Sequence, residues 1–247
     1  MQHYEQLEDR HIDTEYGSVH YKFHDGASDA LVLVHGLAAS ARSWSRLIAY
    51  LPESYRVCAP DLLGHGDSEA PRISYSVDVQ KEIIRRIIKR EDMRGAFMMG
   101  HSYGGWVAAA YAGSYPDLSG LILEDAGGLR SFFDEVRGTA KREDYKRELL
   151  RKSMELNAKD YVIKSILEDE FTDSELTREQ LSRIRSPALI LWGENDDVIQ
   201  PRFADIFHGE ITGSTLRIIK GGRHTPHYSN AAEVARLVVD FINGRLG

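Results

Sequence analysis

Between an apolar run and an alanine-rich one the chain carries Gly100-His101-Ser102-Tyr103-Gly104. A G-x-S-x-G spacing suits a tight strand-to-helix turn. Glycine on both sides allows the sharp bend and the close helix–strand approach that lift a serine hydroxyl above a sheet edge. A hydroxyl alone is a poor nucleophile. It needs a base within hydrogen-bond reach, and the base needs a third group to orient it. Ten histidines are available. His3, His11, His20, His24 and His208 lie in stretches with no other functional signal and read as surface or structural. His35, His65, His101, His224 and His227 adjoin glycine or strand ends. His224 follows the apolar run TLRIIKGG directly, and LILWGENDDVIQP brings Asp196 and Asp197 just past another such run. Serine, acid and base thus come from three separate strand ends, in the chain order Ser102, Asp196, His224 that a nucleophile elbow demands. The chemistry this implies is acyl transfer through a covalent serine intermediate.

Such a constellation needs a sheet whose carboxyl edge gathers the loops. HIDTEYGSVHYKF predicts a hairpin around Tyr16–Gly17. The apolar runs ALVLVHG, YRVCAPDL, GAFMMG, LILEDAG, PALILWG and TLRIIKGG predict strands buried on both faces. Helices are expected between them. One is capped near Ser40 and buries Trp44, Leu47 and Ile48. Another, over 77–90, sets Ile83, Ile84, Ile87 and Ile88 against Lys81, Arg85, Arg86 and Lys89. Further helices are WVAAAYAG, a segment around Phe203–Phe207, and a last one burying Val234, Leu237, Val238, Phe241 and Ile242. The alternation predicts an α/β fold with a mostly parallel central sheet flanked by helices. It breaks from about Leu129 to Ile184, where only charged helical pattern appears. Thr177 with Gln180 forms a capping box there, and Asn157 with Asp160 a second helix start. An all-helical insertion between two strands reads as a lid over 129–184, on a core of 1–128 and 185–247. A plain helical surface layer is the alternative.

Composition bounds the rest. The 247 residues are 42% hydrophobic and 28% charged, enough for a sizeable core. A formal charge of −7 gives no support to nucleic-acid binding. The single cysteine, Cys58, excludes an internal disulfide and reads as buried core. No basic-then-apolar leader and no apolar run long enough for a bilayer is apparent, which predicts a soluble cytoplasmic protein without a membrane span. No P-loop, dinucleotide fingerprint or H-E-x-x-H pattern occurs, so no cofactor and no metal are expected.

With these residues in view, the chain resembles the α/β-hydrolase fold superfamily over nearly its whole length. VHGLAAS is similar to the family's oxyanion loop, DLLGHGDS to its second signature loop and GHSYGG to its elbow; LWGENDDVIQP is similar to the acid loop and GGRHTPH to the histidine loop. The resemblance implies Ser102 as nucleophile, Asp196 as acid and His224 as base, with the backbone N–H groups of Leu37 and Tyr103 as oxyanion hole. The count from the loop glycine favours Asp196 as acid, whereas the position of Pro201 favours Asp197. His227 is a rival base, expected nearer the entrance. His35, His65 and His101 are expected to brace loops, and Asp61 and Asp67 to anchor them. Met98, Met99, Trp44, Trp106 and Trp192 are expected in the core, with Trp106 placed to edge the acyl pocket. The lid aromatics Phe132, Phe133, Tyr145, Tyr161 and Phe171 either line that pocket or pack the lid down. The implied activity is hydrolysis of carboxylic esters of small to medium size. A serine elbow equally fits hydrolysis of a C–C bond, thioester, lactone or aminoacyl amide, and the fold also fits a small-ligand binding protein. The partner is a small ester-like molecule; oligomeric state is not legible.

Overall fold

The computed structural model describes residues 3–131, 140–156, 158–169 and 175–246. Eight strands form one sheet. β1 (Glu8–Thr14) and β2 (Gly17–His24) make the expected hairpin; β3 (Ala30–Val34), β4 (Arg56–Pro60), β5 (Phe97–His101), β6 (Gly120–Glu124), β7 (Ala188–Gly193) and β8 (Thr215–Ile219) follow. The order is β1-β2-β4-β3-β5-β6-β7-β8. β1–β2 and β2–β4 pair antiparallel, and every other neighbouring pair is parallel. The chain leaves β3 for β4 on one side and returns to β5 on the other. The carboxyl ends of β3 and β5 therefore flank the switch point where sites form in such sheets.

Both faces are buried, which is why the strands read as unbroken apolar runs. Along β3, Val32 and Val34 point into one core with Ile83, Ile84, Ile87 and Ile88 of α2 (Val77–Arg90). Leu31 and Leu33 point into the other, with Trp44, Leu47 of α1 (Ser45–Ile48) and the last helix. Each isoleucine so buried contributes roughly 1.5–3 kcal/mol. The helix expected to be capped by Ser40 differs in detail. It is a 3-10 turn, Ala41–Trp44, running into the single turn of α1, and the Ser40 side chain makes no cap hydrogen bond. Asp61 Oδ1 takes that role, accepting the Ala41 N–H at 2.6 Å.

α3 (Tyr103–Ser114) starts directly at the end of β5. Between β6 and β7 lie the helices α4 (Ala140–Glu155), α5 (Asp160–Asp169) and α6 (Arg178–Ser182), with an isolated parallel bridge between Leu129 and Leu176. The Thr177 capping box forms as expected, with both reciprocal bonds to Gln180. Asn157, Phe132, Phe133 and Phe171 lie outside the described residues. α7 (Arg202–Glu210), α8 (Pro226–Ser229) and α9 (Ala231–Ile242) complete the chain.

Close approach of α3 to the sheet depends on missing side chains. A Cβ on Gly100 would sit 2.3 Å from the Gly104 carbonyl oxygen, and one on Gly104 would sit 2.2 Å from that of Val34. Gly104→Ala is therefore expected to cost about 3 kcal/mol or more in urea unfolding, because backbone must move. Gly209→Ala, whose Cβ would meet nothing within 4 Å, is expected to be neutral or to gain about 0.5 kcal/mol. Equal losses in both variants would contradict this account of the elbow.

Candidate active site

β5 ends at His101 and α3 begins at Tyr103, so Ser102 must make the whole turn. Its backbone sits at φ 53, ψ −117, a conformation that non-glycine residues rarely adopt. Neighbouring strands hold it there. The Ser102 N–H donates to the Glu124 carbonyl at 3.0 Å, and the Ser102 carbonyl accepts from Trp106 and Gly127. Its Oγ lies 3.0 Å from His224 Nε2, and His224 Nδ1 lies 2.8 Å from Asp196 Oδ2. Asp196 is fixed in turn: its Oδ1 accepts the N–H groups of Val198 at 2.8 Å and Ile199 at 3.0 Å. The structure thus separates the two candidate acids. Asp196 is buried, while Asp197 points outward and pairs with Arg223 at 2.7 Å.

The loop after β3 passes beneath the serine. A Cβ on Gly36 would meet His101 Nδ1 at 2.9 Å and Ser102 Cβ at 3.3 Å. Leu37 and Tyr103 both border the cavity above Ser102. That cavity has a volume of about 290 Å³ and is walled by Trp106, Val198, Ile199 and, from α4, Tyr145 and Leu149. Trp106 edges it as the sequence suggested. Of the aromatics described between β6 and β7, Tyr145 faces the cavity, while Tyr161 packs down and donates its hydroxyl to the Ala70 carbonyl at 2.5 Å. A wider open groove of about 680 Å³ borders it along Ala38 and Ala39 and carries Arg42, Arg46 and Lys159. Its serines have no imidazole partner among the described residues.

Histidines brace the surrounding loops. His35 donates from Nδ1 to the Gly36 carbonyl at 2.8 Å and accepts the Leu62 N–H on Nε2 at 2.9 Å. Burial lowers its pKa, and burial holds His65 down at about 3. His101 is also kept neutral, first by burial and then by the neighbouring His227 and His224. As the Nε2–H tautomer it donates to the His224 carbonyl at 2.6 Å, which ties the base's loop to the elbow. Asp61 anchors loops as expected, accepting from Ala41 and Asp67 N–H and from His20.

Two features differ from expectation or escaped it. His227 does not line the entrance. It is buried, stacks on Trp44 at 4.3 Å and hydrogen-bonds Glu124 through Nδ1, because Pro226 turns α8 inward over the sheet. Glu124 and its neighbour Asp125, both fully buried, were hidden in LILEDAG, which reads as strand alone. Two acids at the carboxyl end of a buried strand were the available signal. Asp125 has φ 44, accepts the Gly193 N–H on Oδ1 at 2.8 Å, and leaves Oδ2 buried without a donor. His101, Asp125 and His224 converge within 4.8 Å, as do His101, Glu124 and His227. Within the second group His227 hydrogen-bonds Glu124, and the first is joined by the His101 Nε2–H donated to the His224 carbonyl.

Comparison with known proteins places this geometry. The profile of the alpha/beta hydrolase family matches residues 31–237. An uncharacterised protein of Mycobacterium tuberculosis is 28% identical over 88% of this chain and 76% of its own length. Lipase 1 of Psychrobacter immobilis is 26% identical over 92% and 78%. An esterase from Exiguobacterium antarcticum superimposes with a TM-score of 0.83 at 22% identity, over 96% of this chain and all of that one, and so shares the fold. Among the described residues no helix is long and apolar enough to cross a membrane.

The Glu124–His227 pair predicts a stability effect without a direct part in turnover. Glu124→Ala is expected to cost about 2 to 3 kcal/mol in urea unfolding, since it leaves a buried imidazole unpaired. A loss under 0.5 kcal/mol would show the pair to be dispensable.

Proposed function

Because the chain belongs to the alpha/beta hydrolase family, we propose that it is a serine hydrolase that cleaves carboxylic esters through an acyl-enzyme. The observation that carries this reading is the unbroken chain from Ser102 Oγ through His224 to buried Asp196, opening on an apolar cavity. Ser102 Oγ attacks the ester carbonyl as His224 Nε2 takes its proton, and Asp196 holds the imidazole in the Nδ1–H tautomer and stabilises its charge. The tetrahedral oxyanion is met by the backbone N–H groups of Leu37 and Tyr103, each worth about 3 to 4 kcal/mol to the transition state. His224 then returns the proton to the departing alkoxide. Water repeats the sequence on the acyl-enzyme and releases the acid.

Cavity walls of leucine, isoleucine, valine and aromatic residues suit an acyl chain, and about 290 Å³ limits it to small or medium length. We read residues 129–184 as a lid on a core of 1–128 and 185–247, with α4 as the roof over Ser102. Similarity to lipase 1 of Psychrobacter immobilis supports an ester over the other carbonyl substrates.

Hydrolysis of p-nitrophenyl esters from acetate to long acyl chains tests this reading. Wild type is expected to turn over short and medium esters. Ser102→Ala, His224→Ala and Asp196→Asn are expected to lose roughly a thousandfold or more in kcat, and Asp197→Asn to stay within about twofold. Fluorophosphonate labelling should vanish in Ser102→Ala. Turnover surviving in Ser102→Ala would sink the covalent mechanism, and comparable losses in Asp196→Asn and Asp197→Asn would sink the choice of acid.

A further inference from the structure

Three carboxyl groups are buried at the carboxyl ends of β6 and β7: Glu124, Asp125 and Asp196. The groups facing them are His101 at the end of β5, His224 from the loop after β8, and His227 from α8. His227 hydrogen-bonds Glu124, and His224 hydrogen-bonds Asp196. His101 is neutral and donates its Nε2–H to the His224 carbonyl. No ion pair involves Asp125 among the described residues. A third buried carboxylate without a counter-charge is costly, and such a group keeps its proton instead. Burial first, and then the charges of Glu124 and Asp196, push the Asp125 carboxyl well above the ordinary range, and it is in hydrogen-bond contact with Asp196.

We propose that Asp125 is a positioning residue, a carboxylic acid that accepts the Gly193 N–H on Oδ1 and donates from Oδ2 to the Asp196 carboxylate. The buried Oδ2 is the oxygen that has no donor of its own. Its position is set by the backbone: φ 44 at Asp125, and its N–H bonded to the Leu191 carbonyl at 3.0 Å, turn the side chain toward the acid loop. Asp196 then receives four hydrogen bonds: from His224, Val198, Ile199 and Asp125. The fourth fixes the Asp196 carboxylate against His224 and takes up part of the charge it presents there. This rests on the reading of Ser102, His224 and Asp196 as the catalytic residues.

The test uses Asp125→Asn and Asp125→Ala with p-nitrophenyl butyrate across pH. Asparagine keeps both bonds, one accepted from Gly193 and one donated to Asp196. It is expected to leave kcat/KM within about threefold and the acid limb of its pH profile in place. Alanine removes the donor. It is expected to lower kcat/KM about tenfold and to move the acid limb up by about half a pH unit. A loss in Asp125→Asn as large as in Asp125→Ala would show that the group works as an anion, and an unmoved acid limb in Asp125→Ala would show a merely structural role. Either overturns the proposal. Loss of ester turnover in Asp125→Asn, with Ser102 still labelled by fluorophosphonate, condemns only this inference; no dependence of turnover on Ser102 condemns the mechanism beneath it.

Two readouts do not depend on Asp125→Ala folding. At neutral pH the infrared difference between wild type and Asp125→Asn should contain the C=O stretch of a protonated carboxyl, and its absence overturns the proposal. Stability gives the second. A carboxyl whose folded pKa is raised contributes stability fully below its unfolded value, near 3.8, and loses it as pH climbs toward the folded value. Asparagine has no such loss, so the Tm of Asp125→Asn relative to wild type should rise between pH 4 and pH 8. A difference that stays flat, or falls, refutes an Asp125 carboxyl that is neutral in the fold.

Discussion

The site depends on one steric constraint: the start of α3 must touch the backbone of β3 and β5 with no side chain between. Gly100 and Gly104 meet that demand, and a Cβ on Gly105 would likewise strike Ala126 at 2.6 Å. Only with α3 that close can Ser102 stand at the sheet edge with positive φ, at a cost on the order of 1–3 kcal/mol held by the surrounding bonds. Those bonds reach β6 as well as α3. The serine is therefore positioned by backbone contacts that a substitution in its own side chain leaves untouched. Of the four non-glycine residues with positive φ among those described, Ala38, Ser102 and Asp125 surround this one site. Strain and chemistry share a location because packing on all sides is what lets strained backbone persist.

Behind the serine, electrostatics do the ordering. Buried carboxylates need partners, and the ends of β6 and β7 provide them in a layered arrangement. Glu124 with His227 sits deepest, against Trp44. Asp196 with His224 sits above, half open to the cavity. His101 lies between, its ring 4.7 Å from His227 and 5.0 Å from His224. Because burial keeps His101 neutral, it couples the layers through a hydrogen bond without adding charge. A buried pair of this kind is weak evidence for net stability. Its more direct consequence is that the loop bearing His224 has one low-energy position, fixed by a carbonyl bond below and a carboxylate beside it.

The fold, and the three residues Ser102, Asp196 and His224 that come within hydrogen-bond reach, were legible because they obey local rules. Buried parallel strands read as apolar runs, G-x-S-x-G needs its glycines, and strand ends in a parallel sheet share an edge. Pattern favoured Asp196 over Asp197 only through the count from the loop glycine, since a one-residue difference in loop conformation decides which one turns inward. Turning inward is settled by the N–H groups of Val198 and Ile199, and backbone donors have no residue signature. His227 was misplaced for the same reason: only the direction in which Pro226 starts α8 sends it down to Glu124. Ser40 has the residue type of a helix cap, yet Asp61, twenty positions from Ala41 in sequence, supplies the oxygen to the Ala41 N–H. Local propensity identifies what a residue can do, and tertiary contact decides which of several able residues does it.

Specificity follows a different logic from the chemistry. α4 is mostly charged, and of its cavity-lining residues Tyr145, Leu149, Lys152 and Ser153 only the first two are apolar, one narrow stripe on the helix. So little apolar area contributes little to holding the helix in place. An acyl chain in the cavity would cover that same stripe with apolar surface. Under the ester reading, substrate burial and seating of the roof are then one free-energy term, and chain lengths that fill the cavity stabilise the roof best. Ser102, Asp196 and His224 stand on loops at the ends of core strands, apart from that match. A roof this weakly amphipathic leaves chain-length preference to be set by a few positions of α4, with the chemistry beneath unchanged.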